Sequence, residues 1–187
     1  MLARLLLAVA LLYAPSAHSP RARAVFVYPR ERSLFRRVFY TSHQRELLAR
    51  VARAFHVERH EQVATADELF AIDVRDAKLL VISAHGDPFS MHLASRDVRT
   101  LDATARARLA AFFDALAPDA TIVLQSCFTG RGFAHVVKEA AGPTRRVIAA
   151  RGEVPWDGLE ITSLAPFDAT LHCDDGGRRW DCTLSLR

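Results

Sequence analysis

No apolar run in this 187-residue chain is long enough to cross a bilayer, which takes about twenty apolar residues. The run that leads it, Leu5 to Ala14, follows a positive start, Met1-Leu2-Ala3-Arg4, and ends in small residues, Pro15-Ser16-Ala17. That layout predicts a secretory signal rather than a membrane anchor, and no cysteine follows it closely enough to take a lipid. Residues 1–24 are expected to be the signal peptide and a short N-terminal segment, with cleavage near Ala17 or near Ala24. Residues 25–187 are expected to be one domain, secreted or periplasmic, with no stable membrane insertion.

Other absences exclude other classes. Gly130-Arg131-Gly132 lacks the rest of any nucleotide fingerprint, so no phosphate-cradling loop is present. The nucleophile elbow Gly-x-Ser-x-Gly is also missing, which argues against an α/β-hydrolase esterase. Lys78 and Lys138 are the only lysines, and the formal net charge is a modest +4. The basic cluster Arg30, Arg32, Arg36 and Arg37, beside Phe35, Phe39 and Tyr40, carries no recognised binding motif. It reads as a solvated face, and no nucleic-acid partner is expected. His56 and His60 have metal-ligand spacing only on a helix, and Val57 favours a strand. With no third ligand at a recognisable spacing, neither a metal nor another cofactor is expected.

Cysteine is scarce too, and its placement is informative. Cys173 and Cys182 flank Asp174-Asp175-Gly176-Gly177, whose composition favours a tight hairpin turn. In an exported protein the pair predicts a disulfide across that hairpin. Cys127 is then the odd cysteine, which marks it as a candidate reactive thiol.

What is present is an alternation of strand-like and helix-like segments. Val25 to Tyr28 reads as a strand, Ser42 to Phe55 as a helix with Ser42 as N-cap, and His56 to Val63 as a second strand. Thr65 to Glu68 forms a capping box before a short helix. Leu79 to Ala84 and Thr121 to Ser126 are apolar runs of the kind that form buried parallel strands. Phe89 to Leu93 reads as a short extended excursion. A helix opens at Asp102 and ends by Pro118, another covers Phe133 to Ala141, and Arg146 to Ala150 is a strand. Leu159 to Leu186 reads as loops and a terminal hairpin. With 50% apolar residues, this pattern predicts a parallel-rich sheet covered on both faces.

The two buried runs end in chemistry: one leads straight into His85-Gly86 and the other into Cys127. In an open α/β sheet, ligands bind outside the carboxyl ends of the strands, so nucleophile and base are expected on one edge. A thiol is only a few per cent ionised near neutrality and gains from an imidazole that takes its proton. Glycine at 86 suits a close backbone approach, and its amide is a candidate oxyanion donor together with one near Cys127. His43, His56, His60, His92, His135 and His172 read as ordinary loop or core histidines.

Taken together, strand-His85-Gly86 and strand-Gln125-Ser126-Cys127 resemble the caspase-like cysteine peptidases, the group of caspases, gingipains, clostripain, metacaspases and CHAT domains. The histidine precedes the cysteine by 42 residues, close to caspase spacing. Cys127-Phe128-Thr129-Gly130 is most similar to the CHAT branch, and Gln125-Ser126-Cys127 is nearer the caspase wording. The resemblance covers residues 75–157. It implies a three-layer α/β sandwich with a mostly parallel central sheet, completed here by a C-terminal β-hairpin. It also implies an endopeptidase with a His85–Cys127 dyad acting on protein or peptide substrates, or a catalytically inactive binding module of the same fold. In that family the segment corresponding to Arg151–Asp157 lines the specificity pocket. Glu153 or Asp157 there would favour basic residues, the preferred reading, whereas Arg151 would favour aspartate. The mature chain is short for such a domain, and the part after residue 157 offers few obvious elements for completing a six-stranded sheet.

Overall fold

The structure is a computed structural model that describes residues 21–31, 44–94 and 100–187. Residues 1–20 of the expected signal, the Ser42 cap, and Arg32, Phe35, Arg36, Arg37, Phe39 and Tyr40 lie outside the described residues. Five strands form the frame: β1 (Ala22–Pro29), β2 (Phe55–Val63), β3 (Ala77–Ser83), β6 (Thr121–Gln125) and β7 (Arg146–Ala150). Helical residues 44–51 (α1) precede β2. α2 (Ala66–Phe70) precedes β3, α3 (Arg106–Asp114) precedes β6, and α4 (Phe133–Ala141) precedes β7. Between β3 and α3 the chain makes a small hairpin, β4 (His85–Asp87) and β5 (Ser90–His92). The first helix is shorter than expected: it stops at Val51, and Phe55 already opens β2.

The five frame strands pair in parallel, in the order β7-β6-β3-β1-β2. This is the doubly wound 2-1-3-4-5 order, whose ligand crevice opens where the winding reverses, between β1 and β3. Side chains alternate between two cores, as the pleat demands. Val25, Val27, Leu80, Ile82, Ile122, Leu124, Val147 and Ala149 point to one face. There they meet Leu109, Phe112 and Phe113 of α3, spaced i, i+3, i+4, and Phe133, Ala134, Val137 and Ala141 of α4. Phe26, Tyr28, Leu79, Val81, Val123 and Ile148 point to the other face, against Leu48 and Val51 of α1. Each fully buried Leu, Ile or Phe stabilises the fold by roughly 1.5–3 kcal/mol.

The tail departs from expectation. It forms β8 (Leu159–Leu164), β9 (Phe167–Asp175), β10 (Arg178–Asp181) and β11 (Thr183–Leu186) rather than loops and one hairpin. The first three make an antiparallel sheet in the order β10-β9-β8. Its Leu159, Ile161, Ala169, Leu171 and Cys173 cover the second face of the central sheet. β11 then pairs antiparallel with β7 and becomes the sixth strand. The physical reason is the period-2 alternation Leu159-x-Ile161 and Ala169-x-Leu171-x-Cys173, which gives each strand one apolar face that must be buried.

Candidate active site

The strand register lines up one rim. Val27, Ile82, Leu124 and Ala149 are successive partners across β1, β3, β6 and β7. Three residues further on along β3 and β6 stand His85 and Cys127, and four further on along β1 and β7 stand Glu31 and Glu153. Neighbouring strand ends thus deliver, in spatial order, Glu153, Cys127, His85 and Glu31.

At Cys127 the chain reverses sharply. Phe128 adopts a left-handed conformation, φ +59°, a region costly for a bulky residue and one that recurs at functional sites. Its amide is anchored to Gly152 O at 2.9 Å, and Thr129 Oγ1 donates back to Ser126 O at 3.1 Å. The turn leaves the half-buried Cys127 at its crest, with Sγ 3.9 Å from Val154 O.

Gly86 fixes how closely the two rims approach. A Cβ there would lie 2.1 Å from Ser126 Oγ and 2.8 Å from Cys127 O, so only glycine fits without moving backbone. The His85-Gly86 step therefore packs directly on the Ser126-Cys127 peptide. His85 and Cys127 both line a cavity of about 500 Å³ with Gln125, Glu153, Val154, Trp156 and Asp174. Both also line a smaller cavity of about 200 Å³ with Gly86, Asp87, His92, Phe128 and Glu153.

The imidazole is held from two sides. Its Nε2 is 3.5 Å from Glu31 Oε1, and the two side chains are 12% and 8% exposed. That carboxylate oxygen is buried without a hydrogen-bond donor, a costly state that a positive charge on His85 relieves. The Trp156 ring meets His85 edge to face, with centroids 5.7 Å apart. Trp156 is positioned in turn by Gln125, whose Nε2 donates to Trp156 O at 3.1 Å and whose Oε1 accepts from Ser83 Oγ at 2.9 Å.

In the smaller cavity, Ser90 Oγ donates to Asp87 Oδ2 at 2.8 Å, and His92 Nε2 lies 3.1 Å from the same oxygen. Burial pushes the Asp87 carboxyl upward. The Phe89 amide, the Ser90 hydroxyl and the His92 ring outweigh that effect and bring it down to about 2. His92 is itself buried, and its Nδ1 has no hydrogen-bond partner.

Of the residues singled out from sequence, His85, Gly86, Cys127 and Glu153 come together here, and Cys173 and Cys182 form a disulfide. Asp157 does not join them: its carboxylate takes Arg179 Nη1 at 3.0 Å, and it lines neither cavity. Among the described residues no cluster of three or more His, Cys, Asp or Glu is arranged to hold a metal ion. His56 and His60 lie on strand β2, where a spacing of four residues separates them by about 13 Å. Sequence reading missed Glu31, Asp87, His92 and Asp174, and reached Trp156 only as part of the segment Arg151–Asp157. Glu31 carried the one usable signal, since it follows an apolar strand as His85 does, but the flanking arginines gave it the look of a solvated charge run. No known protein-family pattern matches the chain, and no curated protein matches it either.

Proposed function

We propose that this protein is a secreted or periplasmic cysteine endopeptidase of caspase-like type, in which Cys127 is the nucleophile and His85 the general base and acid. The observation that carries the reading is the shared rim. An imidazole and a thiol come from adjacent parallel strand ends, packed together at Gly86 and opening on the same two cavities. The disulfide, and the lack of any helix among the described residues long and apolar enough to cross a membrane, fit export.

In this mechanism the Cys127 proton passes to His85, and the Glu31 carboxylate balances the imidazolium that forms. The thiolate attacks the peptide carbonyl carbon. A C–S bond forms, and the Gly86 and Cys127 amides stabilise the oxyanion. As the C–N bond breaks, His85 returns its proton to the leaving amine. Water then attacks the thioester with His85 again taking a proton, and the carboxylic acid and the Cys127 thiol are released. The cost of holding Phe128 in its left-handed turn belongs to this arrangement, because it keeps the sulfur at the crest.

The test is alkylation of the folded protein with iodoacetamide and with peptidyl acyloxymethyl ketones, alongside cleavage of a peptide library. Wild type is expected to label at Cys127 and to cleave. Cys127→Ala abolishes both, and His85→Ala lowers the cleavage rate by roughly 10²–10⁴-fold. Labelling that survives Cys127→Ala, or a Cys127 inert in the folded protein, overturns the peptidase and leaves a binding module.

A further inference from the structure

The turn that carries Cys127 has a bulky residue where glycine would cost least. Phe128 sits at φ +59° and ψ −1°, a left-handed conformation that a Cβ disfavours and glycine adopts freely. Two residues on, glycine is present for a different reason. A Cβ on Gly130 would lie 2.8 Å from Ala150 O and 2.9 Å from Ala150 C, both main-chain atoms, so only glycine lets the turn lie flush on the end of β7.

The ring at position 128 has a use. Arg131, exposed on the same turn, lays its guanidinium over it, with Cζ 4.8 Å from the ring centroid. Arg131 Nε donates to Arg151 O at 2.7 Å, and its amide donates to Phe128 O at 2.9 Å. One side chain thus clasps the turn and ties it to the loop after β7. That loop meets the turn residue by residue. Gly152 O accepts from Phe128 N–H at 2.9 Å, and Val154 O lies 3.9 Å from Cys127 Sγ. The carbonyls of Arg151, Gly152 and Val154 therefore face Arg131, Phe128 and Cys127 in turn.

A left-handed residue with a side chain persists only where its surroundings over-determine it. The backbone contacts of Phe128 are open to any residue there, whereas stacking under a guanidinium needs an aromatic ring. Arg131 lines neither cavity beside the thiol, so it acts through Phe128. We infer that Arg131 is a positioning residue: by bridging the Phe128 ring and the Arg151 carbonyl, it latches the strained turn and aims the Cys127 sulfur toward His85. This rests on the reading of Cys127 as nucleophile and His85 as its base.

Alkylation of the folded protein by iodoacetamide at about pH 6, below the ordinary range for a free thiol, tests the latch without peptide cleavage. Arg131→Ala is expected to slow labelling of Cys127 about tenfold, the scale of a cation–π contact with a charge-assisted hydrogen bond. Arg131→Lys, which keeps a cation able to reach both the ring and Arg151 O, is expected to restore most of the rate. Phe128→Gly relieves the backbone but removes the ring, so labelling slows as in Arg131→Ala while Tm does not fall. The double variant is no slower than either single one, because both changes break the same latch. In a His85→Ala background Arg131→Ala is expected to have no effect, since no imidazole is left to aim at. A deficit that survives His85→Ala comes from the field of the cation and overturns the latch. Wild-type labelling in Arg131→Ala or Phe128→Gly overturns it as well, and so does a Phe128→Gly variant that loses Tm along with rate. Peptide cleavage is scored separately. The expected pattern in a protein that cleaves no peptide keeps the latch and removes the peptidase. Cleavage with no dependence on Arg131 keeps the peptidase and removes the latch, and a Cys127 inert in wild type removes both.

Discussion

Two backbones meet at Gly86 with no room for a side chain, and the contact decides how His85 stands relative to Cys127. Of the two collisions that a methyl group would make there, Ser126 Oγ belongs to a side chain and Cys127 O to the main chain. Gly86→Ala is therefore expected to cost about 1–3 kcal/mol, seen as a lower Tm, and the added change Ser126→Gly should restore only part of it. Full rescue by Ser126→Gly would show that the main-chain contact is slack. Glu31 acts at the same scale through charge instead of shape. Glu31→Gln keeps the outline of the side chain but removes the countercharge to the imidazolium. As a positioning residue it is expected to lower kcat about tenfold with little change in KM, as expected for the loss of one partly buried charge interaction. The deficit in Cys127 alkylation should be large near pH 6 and fade near pH 9, where the thiol ionises unaided. A deficit that is the same at both pH values assigns Glu31 a packing role only.

The hairpin β4–β5 is sensitive to acid. Asp87 is brought down to about 2 in the folded protein, against about 3.9 for an unfolded aspartate. A depressed carboxyl stabilises the fold above the unfolded value, and that contribution is lost as pH falls through the folded one. Between about pH 4 and 2 the Phe89 amide and the Ser90 and His92 side chains are therefore expected to lose their acceptor. Amide exchange at Phe89 should accelerate in that window, and Asp87→Asn should flatten the dependence; a variant with the same acid profile places the titration elsewhere. This hairpin also shows where sequence reading reaches its limit. Uninterrupted apolar runs made β3 and β6 legible, with His85 and Cys127 at their ends, because a strand buried on both faces has no polar position to disguise it. The site partners were hidden because each rests on pairing between distant segments. His92 reaches the smaller cavity only when β5 folds back on β4, and Asp174 reaches the larger one only when β9 covers the sheet. β8 and β9 were hidden for a related reason: their apolar alternation is short and broken by charged residues, so its meaning depends on the face it covers.

At the scale of the whole molecule, the tail is both structure and site. β8 and β9 pack on one sheet face, β11 supplies the sixth strand, and the loop between β9 and β10 walls the larger cavity. The buried disulfide spans a sequence separation of 9. Closing so short a loop is worth about 2.5 kcal/mol in the unfolded chain. Cys173→Ala with Cys182→Ala is expected to lower unfolding free energy by about that amount, and to leave alkylation of Cys127 in the folded protein largely unchanged, since the thiol follows β6. On the proposed reading of an exported protein, the other end of the described chain constrains where a signal would be removed. Ala22, Arg23 and Ala24 belong to β1, where they partner Phe55, His56 and Val57 of β2. Arg23 also grips Glu58 through Nε at 2.8 Å and Nη2 at 2.9 Å, a bidentate pair that fixes the start of the sheet. Removal of the signal at Ala24 would strip three paired residues and this clamp from a strand central to both cores. Cleavage near Ala17 leaves them in place. Mass spectrometry of the exported protein is therefore expected to find a first residue at or close to His18. A first residue at Val25 would mean that β1 begins unclamped, and the pairing of its first three residues would then contribute nothing to the mature fold.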